Sequence, residues 1–249
     1  MLYLVNSGAM QKTTELNFVK WNKWRKSLEC IKITLQNLDG ARRIHSEFLD
    51  ILKKNKKLHK FSKHPFFAWV LGNYAIYFMV GIRRLVDKSS NELNLYRLLL
   101  DIGKNTHQIT VDNYVRSFFP HDRNFSKNNL SQYRKASYYG DANRAFKQAF
   151  SRPRKNLMLK DIEKDKQIVQ KVAKDIIEDF VTKHIVHSDK KINMDKYQIL
   201  TSKLAHECLD NLIEIYNKYA LLLRGEKLFL LKQTLVSSWD ELFRLPWVE

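Results

Sequence analysis

Residues 65–87 read PFFAWVLGNYAIYFMVGIRRLVD, and this stretch decides the fold. Phe66 to Ile82 is a run of 17 residues without a charge, bounded by Lys63–His64 and Arg83–Arg84. Pro65 suits the first position of a helix, where its missing N–H is not needed and its φ is already helical. A helix over that run would be about 25 Å long, short of the roughly 30 Å hydrocarbon core of a bilayer. Asn73 lies inside it, and basic residues on both flanks give no orientation bias. The stretch is expected to be the buried central helix of a large core, apolar all round, and not a membrane span.

Helical periodicity continues on both sides. Leu16 to Leu38 predicts a helix through Leu16, Val19, Leu28, Ile31 and Leu35, with Trp21 and Trp24 adding bulk. Asp39–Gly40 reads as a stop, after which Ala41 to Leu52 resumes through Ile44, Phe48 and Ile51. A basic connector, KKNKKLHKFSKH, runs from Lys53 to His64. Beyond the apolar run, Leu93 to Ile102 is a short helix ended by Gly103. His107 to Phe150 is the least regular part, rich in Asn, Ser and Tyr. Asn156–Lys183 and Asn193–Leu223 read as two long helices joined by a polar turn at Ser188–Lys191, with Arg224–Gly225 closing the second. In the tail, Trp239, Phe243 and Trp247 recur at helical spacing, so one stripe could pack back onto the bundle.

Composition agrees. The chain has 249 residues, 44% of them hydrophobic, which excludes wholesale disorder and suits one domain with a sizeable core. Only 7 Gly and 4 Pro leave few tight turns, so many-stranded sandwiches and Gly-rich phosphate loops are excluded. The fold class expected is all-α, an antiparallel helical bundle with an irregular or helical insertion. Its divisions are a single domain over 1–249, an N-terminal helical extension at 1–60, a core from 65–102 and 156–223, a basic insertion at 105–155 and a tail at 226–249. Cys30 and Cys208 have no disulfide or metal spacing, as for thiols in a reducing cytoplasm, and MLYLVNSGAMQK lacks the pattern of a signal peptide.

Charge points to the partner. With 44 Lys+Arg against 26 Asp+Glu the chain carries +18 at pH 7, a field that draws polyanions, nucleic acid before anionic membrane. Arg134, Lys135, Arg144, Lys147, Arg152, Arg154 and Lys155 follow one another with Tyr133, Tyr138, Tyr139 and Phe146 between them. Single-stranded nucleic acid uses such a mixture, cations for phosphates and rings for bases; the plainer alternative is a solvated face with packed tyrosines. The connector lysines, Lys53 to Lys63, are a second concentration.

No GxxxxGK[ST], GxGxxG or GxSxG occurs, which disfavours a P-loop ATPase, a dinucleotide fold and an ordinary serine hydrolase. His206–Glu207 begins like a helix-borne zinc motif, but Asp210 stands where the second His is needed. No metal and no cofactor is expected. Two places could carry chemistry. VTKHIVHSDKK, residues 181–191, sets His184 and His187 one helical turn apart beside Lys183, with Asp189 following to orient a ring or cap the next helix. A helix-end role for His187, meeting exposed carbonyls, is the equal alternative. Arg84 and Asp87 are three apart at the polar end of the apolar run, an ion pair or a phosphate clamp with its orienter.

Taken together, KHIVHSD, YFMVGIRRLVD followed by LNLYRLLLDI, and the closing WDELFRLPW resemble the abortive-infection U-type branch of the HEPN superfamily. The resemblance spans roughly residues 65–102, 170–222 and 239–247. It implies an antiparallel bundle, usually a cytoplasmic homodimer with the site where two protomers meet, that cleaves RNA without metal as a toxin-type antiphage effector. His187 would then be acid/base, Arg84 the phosphate clamp and Asp87 its orienter, with Lys183, His184 and Asp189 beside them. An antitoxin or defence-system protein is the further partner implied. The 2′-OH would attack the adjacent phosphate, which makes RNA the substrate. The motif's Arg falls on Val181, so a cation from elsewhere must serve, or the module binds nucleic acid or a partner protein without cutting. Arg116 to His121 (RSFFPH) matches the Arg–His spacing literally, but Pro120 sits awkwardly for a helix end.

Overall fold

The computed structural model describes residues 17–54, 65–88, 92–118, 132–174 and 194–227, with backbone alone at 132–135 and 194–202. These residues form an all-α bundle: α1 Phe18–Lys54, α2 Pro65–Val86, α3 Leu95–Gly103, α4 Val111–Phe118, α5 Gln132–Phe150, α6 Leu159–Ala173 and α7 Met194–Arg224. The one pairing of extended backbone among them is the bridge Thr110–Asn156.

The core is a seam between α1 and α7. Trp21, Trp24, Leu28, Ile31, Leu35 and Leu38 recur three or four residues apart on one face of α1 and are fully buried. They meet Leu209, Leu212, Tyr216, Tyr219 and Leu222 of α7 in one cluster. Each such aliphatic side chain contributes about 1.5–3 kcal/mol by leaving water. The helices run antiparallel: Arg25 Nε donates to Leu223 O at 2.7 Å near one end, and Arg42 bonds Asp210 towards the other. Trp24 Nε1 donates to Asp101 Oδ2 at 3.0 Å, tying α3 to the same seam. Asn94 caps α3 by accepting from the Arg97 N–H at 2.9 Å.

α1 corrects the sequence reading. Asp39–Gly40 does not stop a helix; α1 runs unbroken for 37 residues. The Asp39 carboxylate is buried and accepts from Arg42 and Arg43, three and four residues on, so it is satisfied within the helix. Gly40 has no steric duty there, since a Cβ would meet nothing within 4 Å. The stop that does operate is Gly225, whose φ of 70° closes α7 in the left-handed region.

α2 begins at Pro65 as predicted, but it is not buried all round. Phe67, Phe78, Met79, Ile82, Leu85 and Val86 face the bundle; Phe66, Trp69, Ile76, Tyr77 and Val80 face outward. α2 packs antiparallel on α1, with Leu38 pressed so close to Gly81 that an added Cβ would lie 2.6 Å from its Cδ2. Farther along the same pair, Phe48 and Leu52 of α1 close on Phe67. Val19 and Ile44, counted in the apolar face of α1, also point outward.

The least regular part of the sequence holds α4 and the 19-residue α5. α5 passes through Gly140, and it seats Phe146 in the core against Tyr114, ring centres 6.3 Å apart. The first long C-terminal helix starts at Leu159, not Asn156, because 109–111 and 155–157 pair as extended backbone. Val111 N donates to Lys155 O at 2.8 Å and Leu157 N to Ile109 O at 3.0 Å.

Candidate nucleic-acid interface

That backbone bridge positions the loop after α5. Ser151 turns the chain with φ 55°, a value uncommon for a residue with a side chain. Residues 152–155 then pass over a cleft of about 670 Å³ between α5, α6 and α7. Its floor holds the buried Asp165 and the half-buried Asp161, each neutralised. Asp161 pairs with Arg154 and also accepts from the Met158 N–H at 3.1 Å, capping α6. Asp165 takes Lys218 Nζ at 2.7 Å and the Tyr219 hydroxyl at 2.6 Å. Burial and then the Asp165 charge push the Tyr219 hydroxyl well up, so it stays a donor.

The two floor cations also bracket one ring. Arg154 Cζ lies 4.8 Å and Lys218 Nζ 5.2 Å from the centre of Phe150. Above the floor, Arg152, Lys164 and Lys227 line the cleft, exposed and without a carboxylate partner among the described residues. Lys147 and Lys155 are exposed nearby. Phosphates are the groups that such unpaired cations attract.

Of the residues expected to bind RNA, Arg152 and Arg154 come together here, and Lys147 and Lys155 lie on the exposed surface. Arg144 instead faces Asp141 at 3.7 Å, an exposed pair of little energy. The side chains of Arg134 and Lys135 lie outside the described residues. For the aromatic residues the expectation is corrected at Phe146, which is core; Tyr138 and Tyr139 are half-buried against that core, Tyr139 donating to Asp112 at 2.9 Å, and the side chain of Tyr133 lies outside the described residues. Lys218 and Lys227 were not singled out from sequence, because they stand far from the basic run and only the helix packing brings them to it; Lys164, nine residues past Lys155, was passed over as part of a polar helix face.

The expected catalytic set is split. His187, His184, Lys183, Asp189 and the motif position Val181 lie outside the described residues, as do the tail aromatics and most of the basic connector. Arg84 is exposed at the end of α2, and its Nε donates to Glu92 Oε2 at 2.6 Å. Asp87 uses its backbone carbonyl to accept from Asn94 Nδ2 at 2.8 Å, which ties the end of α2 to the cap of α3.

A second polar cluster sits where α1, α2 and α7 cross. His45 stacks flat on Tyr74, ring centres 3.9 Å apart, and Tyr74 Oη meets His206 Nε2 at 2.9 Å. Beside them Arg42 spans Asp39 and Asp210, edging an open cleft of about 590 Å³. Burial and then the neighbouring His206 hold His45 down at about 4; burial and then Arg42 lower His206. Both rings are neutral at pH 7. No group of three or more His, Cys, Asp or Glu able to hold a metal occurs among the described residues.

Comparison of the chain with protein-family models, with curated proteins and with solved structures finds no match in any of the three.

Proposed function

We propose that this chain is an RNA-binding, HEPN-like helical protein of the metal-independent ribonuclease kind, a toxin-type effector of antiphage defence. The observation that carries the RNA part is the cleft below residues 152–155. Of the acids lining it, Asp161 and Asp165 are paired with Arg154 and Lys218 and Asp210 with Arg42, so Arg152, Lys164 and Lys227 outnumber the exposed Glu214 and are left to meet phosphate. With Phe150 already engaged by two cations, contact through the sugar–phosphate backbone is favoured over reading of bases. The chemistry rests on the sequence resemblance: His187 moves the proton, Arg84 steadies the phosphate and Asp87 orients it, with Lys183 the other cation in reach by sequence.

One arrangement favours the second reading, an RNA-binding module that does not cut. Val181 replaces the motif cation, and Arg84 is occupied by Glu92. A single experiment separates the two. Purified protein is incubated with single-stranded RNA in EDTA, beside His187→Ala and Arg84→Ala variants. Cleavage to cyclic-phosphate ends that disappears in His187→Ala supports the ribonuclease. Tight, salt-sensitive binding with intact RNA supports the binding module. Absence of both overturns the assignment to RNA.

A further inference from the structure

α6 sorts its charges by face. Lys160, Lys164, Gln167, Lys171 and Lys174 follow one another at steps of four, three, four and three residues, and all five are exposed. At about 100° per residue they fall within an arc of about 80°. The backbone stays helical through Lys174, with φ −63° and ψ −53°. The acids of the helix lie off this arc and are taken. Asp161 pairs with Arg154, Asp165 with Lys218, and Glu163, at the border of the stripe, with Lys166. The four stripe lysines have no carboxylate partner among the described residues.

A solvated helix face ordinarily mixes signs, because Glu and Lys four residues apart attract. Here Lys160 with Lys164, and Lys171 with Lys174, are like charges one turn apart, which repel within the helix. The arrangement does nothing for the stability of the chain, and a polyanion laid along the helix relieves it. The stripe is also continuous with the cleft, since Lys164 lines both. From Lys160 to Lys174 it runs about 21 Å, a length over which one strand of a duplex carries about six phosphates.

We propose that this stripe is the track for the backbone of double-stranded RNA, so that the RNA bound is a folded one with a base-paired stem. The inference rests on the assignment to RNA and narrows it. Single strands are held by rings on which unpaired bases stack. From α5 to α6 the exposed large apolar side chains among the described residues are Met158 and Leu159, neither of them a ring. Phe146 is core, and Tyr138, Tyr139 and Phe150 are half-buried against it. A duplex keeps its bases inside and offers phosphates and 2′-hydroxyls at fixed positions, which a helix face of lysines follows without stacking. Gln167, between Lys164 and Lys171, brings a carboxamide that both donates and accepts, as a 2′-hydroxyl does. An anionic bilayer is the less fitting partner, because the stripe has no apolar side chain to insert.

The test is fluorescence anisotropy of the full-length protein with a labelled RNA duplex of about 16 base pairs, one of its strands alone, and the DNA duplex of the same sequence. Wild type is expected to bind the RNA duplex roughly ten-fold or more tighter than the strand, and tighter than the DNA duplex. Lys160→Glu, Lys171→Glu and Lys174→Glu combined should weaken duplex binding by roughly ten- to a hundred-fold and lower its salt slope by about three. Binding of the single strand should fall by less than about three-fold, and thermal melts should not change, because all three side chains are exposed. Gln167→Ala should narrow the gap between the RNA and DNA duplexes; a gap left whole overturns its role. A single strand bound as tightly as the duplex, or a triple variant with full duplex affinity, would overturn the proposal and leave the assignment to RNA standing. Failure to bind either RNA would overturn both. Stripe-dependent sedimentation with phosphatidylserine vesicles, by a protein that ignores the duplex, would make this face a membrane surface and overturn the proposal as well.

Discussion

Two polar clusters flank α7, and Asp210 borders both. At the crossing of α1, α2 and α7, Arg42 and Arg43 meet Asp39 and Asp210, and two neutral histidines pack on one tyrosine. At the cleft by residues 152–155, pairing of the same kind stops at the floor. Arg154 and Lys218 have carboxylates; Arg152, Lys164 and Lys227, higher up, do not. The first cluster is a joint: its charges are spent within α1 and across to α7, and its rings tie in α2. The second has charge left over, and surplus charge is what a surface for a polyanion needs. Residue type alone does not separate a joint from a site; the balance of partners does.

That contrast can be broken in four ways. The largest effect is expected from Asp39→Ala, which strands the partly buried Arg43 guanidinium and leaves Arg42 with Asp210 alone. It should cost about 3 kcal/mol in urea unfolding while the folded fraction binds RNA normally. A loss under 1 kcal/mol would mean that the joint is not one.

Next, Arg152→Glu with Lys164→Glu should weaken RNA binding by roughly ten- to a hundred-fold and lower the salt slope by about two, with unfolding barely changed. Equal affinity, measured by fluorescence anisotropy, would remove the cleft from the binding surface.

Acid should then loosen the joint and spare the cleft. His45 is neutral in the fold down to about pH 4, whereas its unfolded form takes a proton near the ordinary value of 6.5. The unfolded state therefore binds more protons between those limits, so stability present above about pH 6.5 is lost as pH falls towards 4. Allowing for solvent reach to the ring, the loss should be about 1–2 kcal/mol. A melting series from pH 7.5 to 4.5 checks it, and His45→Phe should flatten the dependence. A protein that melts higher at pH 5 contradicts the sign.

The smallest change belongs to Arg144→Ala. Its pair with Asp141 is exposed and long, so stability should stay within about 0.5 kcal/mol. A larger loss by calorimetry would show that the surface of α5 holds more than the pair.

Much of the architecture was legible in the letters. Pro65 opening α2 and Gly225 after α7 are local chemistry, set by a missing donor and an absent Cβ; the Asn94 cap, which moves the start of α3 from Leu93 to Leu95, was not read. The misreadings were local rules overruled at a distance. Asp39–Gly40 has the composition of a stop, yet Arg42, Arg43 and the packing of Leu38 on α2 hold the helix through it. Phe146 has the composition of a base-stacking residue, yet the core takes it. His45 and Tyr74 gave no signal, and His206 only the start of an incomplete zinc motif, because no spacing links residues on three helices.

What the sequence by itself determined is therefore the class of fold and its polarity: a basic chain, poor in Gly and Pro, whose apolar residues recur at helical intervals. Periodicity is a property of neighbours along the chain, so it needs no third dimension. Only the tertiary structure decided which face of α2 turns inward and which cations keep their charge unpaired. Both depend on what a second helix presents at the point of contact. A run apolar on every side, such as Phe66 to Ile82, carries no mark of the face that the bundle covers.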